Sequence, residues 1–413
     1  MILLAAKSMT RPTVGCLASD RRLRREYLGK MKGMRDMRPI RLGMVGGGND
    51  AFIGGVHRIA SRIDGRFQLV AGALSSTPEK AQASGAALGL DPARTYDDFK
   101  AMAIREARLK DGIEAVAIVT PNHVHYAAAR EFLKRGIHVI CDKPLTSTMV
   151  DARKLVKAAE DSDALFVLTH NYTGYPLMRQ ARQMVAEGRL GKIRVVQVEY
   201  AQDWLSKADD SKQAAWRTDP ERSGLGGSTG DIGTHAFNLA SFVTGLELES
   251  LSADLQAFVG GRALDDNAHV MMRFAGGARG MLWCSQVAAG NENGLRLRVY
   301  GEKAGLEWAQ ENPNQLWFTE LGQPKQLLTR GGAGTTEDAA RVTRIPPGHP
   351  EGYLEGFATI YREAAEAIEA HRAGQDVAAD VLYPTVQDGM KGMQFVEACV
   401  RSSKRDGAWV SFA

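Results

Sequence analysis

Residues 40–54 read IRLGMVGGGNDAFIG, an apolar run that ends in three glycines and leads into a mixed polar and apolar stretch. A short apolar run of this kind is typical of a buried parallel strand, and we expect a helix to follow over about 54–63. Dinucleotide folds bind a pyrophosphate at such a strand–glycine–helix turn, because glycine lets the backbone approach the anion and helix N–H groups favour it. The stretch therefore predicts a nucleotide-binding turn.

The candidate cofactor contacts in this turn are Gly46, Gly48, Asn49, Phe52, Ile53 and Gly54. Five residues separate Gly48 from Gly54, where the common fingerprint has two, so the glycines taken alone fit a plain tight turn as well. Their position at the first strand of a long strand–helix series favours the cofactor interpretation.

Strands and helices alternate as far as residue 168. The predicted strands are 40–45, 67–73, 115–119, 137–141 and 165–168, and the predicted helices are 54–63, 78–88, 97–108, a segment after Pro121, and 149–159. This alternation predicts a parallel, doubly wound α/β sheet of the Rossmann type over residues 39–170.

The pattern changes after about residue 170. Strands are predicted at 193–200, 251–258, 269–274, 280–285 and 295–300, with helices at 353–370 and 385–401 and a long surface loop at 329–350. Several of these strands alternate polar and apolar residues, which predicts an α+β domain with a large open, mostly antiparallel sheet. We assign substrate binding and oligomerisation to this domain, residues 171–413.

The charge is uneven along the chain. Residues 1–38 hold ten Lys and Arg against three Asp and Glu, so the remainder carries 42 basic and 45 acidic residues. The body therefore gives no support to a nucleic-acid-binding surface. We interpret the leader as a disordered tail or as the result of a start assigned too early, with Met31, Met34 or Met37 as the true start; a nucleic-acid or membrane arm is the alternative.

Membrane and disulfide-rich classes are also disfavoured. No apolar run approaches the roughly 20 residues that span a bilayer. The four cysteines, Cys16, Cys141, Cys284 and Cys399, lie far apart without zinc-type spacing. We expect a soluble protein of the reducing cytoplasm that binds no structural metal.

The end of the second strand bears on the choice of cofactor. Ser75 and Ser76, with Lys80 a turn later, stand where a ribose-binding carboxylate is expected. Hydroxyls and a lysine could bind the 2′-phosphate of NADP, but the two serines could equally bind the bare ribose of NAD. The choice between NAD and NADP stays open.

Two further polar clusters follow buried strands. Thr120, Pro121, Asn122 and His125 come after one strand, and Asp142 and Lys143 come after the next. Open α/β sheets bind ligands at the carboxyl ends of their strands, so we expect these residues to contact the cofactor. A lysine at this position can polarise a substrate oxygen or fix a ribose, and the alternative is a solvated lysine before a helix.

Asp231 and His235 form the candidate acid/base pair. They stand four residues apart in the segment GDIGTH, and on a helix they would share one face. Oxidation of an alcohol needs a base for the hydroxyl proton, and histidine has a suitable pKa. A structural Asp–His contact, a metal site without an evident third ligand, and a hydrolase GxSxG turn at Ser228 are the alternatives.

Aromatic and polar residues near these segments are candidate substrate contacts, since such pairs suit a polyhydroxylated ring. They are Asn171, Tyr172, Tyr175, Asp203 and Trp204, with Trp216 and Arg217 assigned to the cofactor side and Asp265, Asp266, Asn267, Gln286, Asn291 and Asn293 of lower rank.

Over residues 39–400 the chain resembles the Gfo/Idh/MocA family of oxidoreductases. The resemblance rests on the order of several motifs: the glycine turn with His57 after it, Thr120–Asn122 with His125, Asp142-Lys143-Pro144, Trp216-Arg217, and Asp231 with His235. The chain departs from the family pattern at Asp142, where glutamate is usual, in a glycine turn that is three residues longer, and in the missing second-strand carboxylate.

The resemblance implies an NAD(P)-dependent dehydrogenase acting on a ring secondary alcohol of a sugar, glycoside or cyclitol. It implies that Lys143 contacts the substrate hydroxyl and the nicotinamide ribose, and that His235 is the acid/base, supported by Asp231. It also implies a homodimer or homotetramer formed through the open sheet. An enzyme that cleaves glycosides by transient oxidation, and a catalytically silent nucleotide-binding regulator, remain the alternative functions.

Overall fold

Strand β1 (Ile40–Gly46) lies in the interior of a parallel sheet, and its buried side chains Ile40, Leu42 and Met44 explain its mainly apolar sequence. The computed structural model describes residues 38–49, 51–209 and 211–412, so the predicted leader lies outside the described residues apart from Arg38. Within them the sheet has five strands in the order β2-β1-β3-β4-β5. The other four strands are β2 (Phe67–Ala73), β3 (Ala115–Val119), β4 (His138–Cys141) and β5 (Phe166–Leu168).

Helices cover both faces of this sheet. They are α1 (Phe52–Ile63), α2 (Pro78–Ala87), α3 (Phe99–Glu106), α4 (His125–Leu133) and α5 (Met149–Glu160). The predicted doubly wound parallel sheet is thus confirmed. The carboxyl ends of the strands lie at one edge, which positions the glycine turn and the polar clusters together.

A second sheet contains nine strands within the described residues, in the order β13-β12-β11-β10-β6-β9-β8-β7-β14. Its strands are β6 (Ile193–Ala201), β7 (Leu248–Gln256), β8 (Asn267–Phe274), β9 (Arg279–Ser285), β10 (Gly294–Gly301), β11 (Ala304–Ala309), β12 (Gln315–Glu320), β13 (Gln326–Thr329) and β14 (Val410–Ser411). Only the β6–β9 pair is parallel among these pairings. The predicted large, mostly antiparallel sheet is confirmed.

Further helices accompany the second sheet. They are α6 (Pro176–Ala186), α7 (Lys212–Arg217), α8 (Pro220–Ser223), α9 (Thr234–Thr244), α10 (Glu337–Val342), α11 (Tyr353–Arg372) and α12 (Val386–Ser403). The prediction of a loop over the whole of 329–350 was wrong, because it contains α10. Arg341 of that helix pairs with Glu363 at 2.7 Å and anchors it to α11. Arg330 is also buried, with Glu351 3.0 Å away.

The last two long helices return to the first sheet. Phe357, Ile360 and Tyr361 of α11 pack in one apolar cluster with Ile40 and Leu42 of β1. The first half of α12 contributes Val386 and Met393 to the cluster on the opposite face of the same sheet, so the described residues from Ile40 onward form one compact unit. No helix among the described residues has the length and apolarity to cross a bilayer.

Candidate active site

A cleft of about 1750 Å³ is lined by residues of both sheets. It runs past the carboxyl end of β1 and the glycine turn to the inner face of the second sheet. Most of the predicted site residues line it: Gly46, Gly48, Asn49, Phe52, Ile53, Ser75, Ser76, Lys80, Thr120, Pro121, Asn122, Asp142, Lys143, Asn171, Tyr172, Trp204, Trp216, Arg217, Asp231 and His235. The structure therefore brings the glycine turn, Lys143 and His235 together.

The glycine turn fits a pyrophosphate. Gly46 and Gly47 have φ of +77° and +70°, a region that favours glycine. Ala51, the residue before α1, makes no side-chain hydrogen bond to the first turn of the helix, and the N–H groups of a helix N-terminus favour an anion. A Cβ on Gly54 would lie 2.4 Å from the Cα of Gly47, so Gly54 acts by letting α1 approach the turn rather than by lining the cleft.

The part of the cleft at the end of β2 has mixed charge. The partly exposed Ser75 and the exposed Ser76 and Lys80 lie beside Asp97 and Asp98, which come from the loop before α3. Asp98 also caps α3, because its carboxylate accepts from the N–H of Ala101 at 2.8 Å. Carboxylates from another segment of the chain therefore line the same cleft as Ser75 and Ser76, which sequence spacing did not predict.

Three more predicted residues lie outside the lining and act as supports. His125 is fully buried, with its ring nitrogens 2.8 Å from the Pro144 carbonyl and 2.9 Å from the Thr120 carbonyl, so it joins the two predicted cofactor loops. The Tyr175 hydroxyl accepts from Gln310 at 3.1 Å. The Asp203 carboxylate accepts from the N–H of Gly290 at 2.9 Å.

Lys143 and Asp231 form the centre of the site. The Lys143 ammonium donates to Oδ1 of Asp231 at 2.6 Å and to the Asp231 carbonyl at 2.7 Å. Oδ2 of Asp231 accepts from Gln286 at 2.9 Å and from Arg217 at 3.3 Å. Burial alone would raise the pKa of Asp231, but the charges of Lys143 and Arg217 hold it well below its usual range.

The segment that carries Asp231 is a π-helical turn, Thr229–Gly233, rather than ordinary α-helix. Asp265 holds this turn, since its carboxylate accepts from the N–H groups of Gly227 at 2.7 Å and Thr229 at 2.8 Å. The Ser228 hydroxyl also donates to Asp265 at 2.7 Å, and no strand directly precedes it, which contradicts the hydrolase alternative.

Asp142 anchors the backbone before Lys143. Its Oδ1 accepts from the Thr169 hydroxyl and from the Lys143 N–H, each at 2.9 Å. Nε2 of the buried His57 lies 3.9 Å from the same oxygen. Burial alone would raise the pKa of Asp142, but His57 and Lys143 hold it well below its usual range, so the residue is a carboxylate at neutral pH.

His235 lines the cleft beside Lys143 and is 7% exposed. Among the described residues, the hydrogen bonds of the Asp231 carboxylate go to Lys143, Arg217 and Gln286, so the predicted direct Asp231–His235 contact is not formed. The Nδ1 atom of His235 instead lies 3.5 Å from Nδ1 of His170. Burial, with Lys143 and His170, lowers the pKa of His235 well below its usual value.

A polar network lines the cleft on the side of the second sheet. Oδ1 of Asn293 accepts from the Tyr200 hydroxyl and from Gln202, each at 2.8 Å, and its Nδ2 donates to Gln310 at 2.9 Å. The hydroxyls of Tyr200 and Tyr172 lie 2.6 Å apart. Sequence reasoning ranked Asn293 low and missed Tyr200 and Gln310, although Tyr200 falls in the alternating pattern of the predicted strand 193–200.

Other lower-ranked residues shape the surrounding turns. The Asp266 carboxylate accepts from the N–H groups of Phe258 and Val259, and Asn267 accepts from the indole N–H of Trp283. The amide of Asn291 donates to the Ala288 carbonyl. Tyr353 and Phe357 line the cleft from α11, and nothing in the local sequence predicted that this helix would reach the site.

Comparison with known proteins identifies the family. Residues 40–170 match the family described as oxidoreductase family, NAD-binding Rossmann fold, and residues 178–307 match the GFO/IDH/MocA C-terminal domain. The uncharacterized oxidoreductase YfiI of Bacillus subtilis (strain 168) is 36% identical over 382 residues, which cover 91% of this chain and 97% of that protein.

Two solved structures are similar over the same extent. An oxidoreductase from Sinorhizobium meliloti is 67% identical with a TM-score of 0.83, and the match covers 91% of this chain and 100% of that one. An inositol dehydrogenase homolog from Azotobacter vinelandii, complexed with NADH and myo-inositol, is 40% identical with a TM-score of 0.85, covering 91% and 98%. The chain belongs to the Gfo/Idh/MocA family and is an NAD(P)-dependent oxidoreductase of the dehydrogenase type.

Proposed function

We propose that the protein oxidises a ring secondary alcohol of an uncharged polyol, a sugar, glycoside or cyclitol, and reduces the resulting ketone in reverse. This proposal rests on one observation: Lys143 and His235 both line the cleft that begins at the glycine turn. The similarity to the Azotobacter vinelandii protein, which was solved with NADH and myo-inositol, supports a cyclitol or a related ring as substrate.

Lys143 polarises the substrate hydroxyl in this proposal. An ammonium has three N–H donors, and its bonds to described residues use two of them, both directed at Asp231. The third can donate to the substrate oxygen and stabilise negative charge that develops there. Asp231 holds the ammonium in place and balances its charge.

His235 takes the hydroxyl proton. Its lowered pKa keeps the ring neutral at pH 7, so a ring nitrogen has a free lone pair for the proton. The hydride acceptor for the carbon that carries this hydroxyl would be supplied by a bound nicotinamide. In the reverse direction His235 returns the proton to the ketone oxygen.

The charge balance of the cleft favours an uncharged substrate. Lys143 and Arg217 both pair with Asp231, and Glu292 and Glu311 also line the cleft. A phosphorylated or acidic group placed next to Lys143 and Arg217 would meet cations that Asp231 already neutralises. The amide and hydroxyl groups around Asn293 instead offer donors and acceptors to neutral hydroxyls.

The test is a spectrophotometric screen at 340 nm of inositols, aldoses and glycosides with NAD and with NADP. We expect reduction of at least one cofactor by a neutral polyol, and a loss of about 10²-fold or more in kcat for Lys143→Met and for His235→Ala. Lys134→Met, which removes an exposed partner of Glu131, is the matched control and should retain activity.

Two results would contradict the proposal. Turnover of a glycoside without accumulation of NADH would indicate cleavage by transient oxidation. Nucleotide binding without turnover of any polyol, and with no effect of Lys143→Met on the cellular role, would indicate a regulator.

We further propose that the protein forms a homodimer or homotetramer through the outer face of the second sheet. Val195, Met271, Met281 and Trp317 are 38%, 53%, 47% and 39% exposed, and strand register places them on the same face. Light scattering should show an oligomer, and Met281→Glu should shift it toward the monomer. A monomeric wild-type protein would contradict this proposal.

A further inference from the structure

His170 is a buried histidine directly behind His235. It lies two residues after β5, is 2% exposed and does not line the cleft. Its Nδ1 is 3.5 Å from Nδ1 of His235, and the two rings are nearly perpendicular, at 81°. The two histidines therefore meet through their Nδ1 atoms. Nε2 of His235 is then the ring nitrogen that can meet a ligand.

Only one proton can occupy the contact between these two nitrogens. Burial lowers the pKa of His170 to about 4 and lowers that of His235 as well, so both rings are neutral at pH 7. One Nδ1 must then donate and the other must accept. The contact with His170 thus selects a tautomer of His235. The carboxylate of Asp231 does not take this role, because its hydrogen bonds go to Lys143, Arg217 and Gln286.

We propose that His170 is a positioning residue that accepts the Nδ1–H of His235 and so keeps Nε2 of His235 unprotonated for the substrate hydroxyl. This inference rests on the proposed role of His235 as the base. The opposite assignment would place the proton on Nε2 of His235, and the ring could not accept a proton from the alcohol.

The proton balance follows from this arrangement. The hydroxyl proton moves to Nε2 of His235, which becomes an imidazolium, while its Nδ1–H continues to donate to His170. The lone pair on His170 then stabilises the positive charge. In the reverse direction the same proton leaves Nε2 for the ketone oxygen, and His170 keeps its own proton on Nε2 throughout.

Several charged groups surround the pair and set its response to pH. His170 is influenced by Asp388 at the start of α12, by Lys143 and by Asp142. His235 is influenced by Lys143, Asp231 and Asp142. Protonation of His170 at Nδ1 would turn it into a donor and force His235 into the inactive tautomer, so activity should fall on acidification.

The first experiment measures the tautomer itself and needs no substrate. Long-range ¹H–¹⁵N spectra of ¹⁵N-histidine-labelled protein at pH 7, with His235→Ala to assign the signal, should show His235 protonated at Nδ1. His170→Phe should shift His235 toward the Nε2–H form, and His170→Asn, whose amide oxygen can accept the same bond, should restore the Nδ1–H form. Detection of the Nε2–H form in the wild-type protein would overturn the proposal.

The second experiment measures turnover. His170→Phe should lower kcat about 10-fold or more and lower the apparent acid pKa of the pH profile, because the His235 imidazolium loses its acceptor, and His170→Asn should recover most of the rate. In the His235→Ala background, His170→Phe should cause no further loss. His138→Phe, which removes another buried histidine of the parallel sheet, is the control and should leave kcat unchanged.

The outcomes separate the two proposals. Equal kcat and pH profiles for wild type, His170→Phe and His170→Asn would overturn the role of His170. If no polyol is turned over, the proposed function fails, whereas the tautomer measurement still decides whether His170 sets the state of His235. If His170→Phe does not fold, the tautomer seen in the wild-type spectrum and the behaviour of His170→Asn decide the role of His170.

Discussion

At the scale of single residues, Asp231 has a different role from the one its spacing to His235 suggested. The carboxylate binds two cations, Lys143 and Arg217, and leaves the histidine to another partner. A motif of the form Asp-x-x-x-His can therefore place both side chains in one site without a hydrogen bond between them.

We expect Asp231→Asn to lower kcat by about 10²-fold, because the Lys143 ammonium loses its counter-charge and its fixed position. Nucleotide affinity should change little, since the glycine turn is untouched. Steady-state kinetics and titration with the cofactor would measure both. Asp161→Asn, which removes an exposed partner of Lys157, should behave as wild type, and an active Asp231→Asn enzyme would contradict this view of the ion pair.

At the scale of secondary-structure elements, the contact between α1 and the glycine turn decides how close the helix N-terminus lies to the anion. We expect Gly54→Ala to weaken cofactor binding roughly ten-fold, equivalent to about 1.4 kcal/mol, because the added methyl overlaps Gly47. A Cβ on Gly55 would meet only a side-chain atom of Arg58 at 3.9 Å, so Gly55→Ala is the matched control. Calorimetric titration with NAD and NADP measures the difference, and equal affinity of the two variants would contradict the steric argument.

The sequence predicts those strands and helices whose apolar pattern is contained in one short segment of the chain. The apolar runs of the first sheet and the alternation in β6 and β10 each identify a strand, and the carboxyl ends of β3 and β4 indicate Asn122 and Lys143 as site residues. It did not predict β11 to β13, although residues 304–309 alternate in burial, because glycines and short turns interrupt the pattern. It also missed His170, whose role depends on which side chain lies opposite in space.

At the scale of the whole molecule, buried neutral histidines make stability depend on pH. His138 accepts a hydrogen bond from the N–H of Leu165 at Nδ1, and burial, with the charges of His371 and Arg372, lowers its pKa to about 4. In the unfolded chain the group titrates near 6.5. The unfolded state therefore binds a proton that the folded state does not, and acid favours unfolding.

We expect the melting temperature to fall as the pH decreases from about 6.5 toward 4, with His138 contributing roughly 2–3 kcal/mol of lost stability. Differential scanning fluorimetry at pH 7.5 and 5.0 would measure it. The decrease should be smaller in His138→Phe and unchanged in His349→Gln, because His349 is exposed. A decrease in His138→Phe equal to that of the wild type would contradict this assignment.

Helix α11 completes the hydrophobic layer over a strand that the chain began more than three hundred residues earlier, since Phe357 and Ile360 pack with Ile40 and Leu42. During synthesis, the nucleotide-binding half therefore leaves the ribosome with one flank of its sheet only partly covered, by α1. That flank stays open to chaperones, or to a neighbouring nascent chain, until almost the entire polypeptide has been translated.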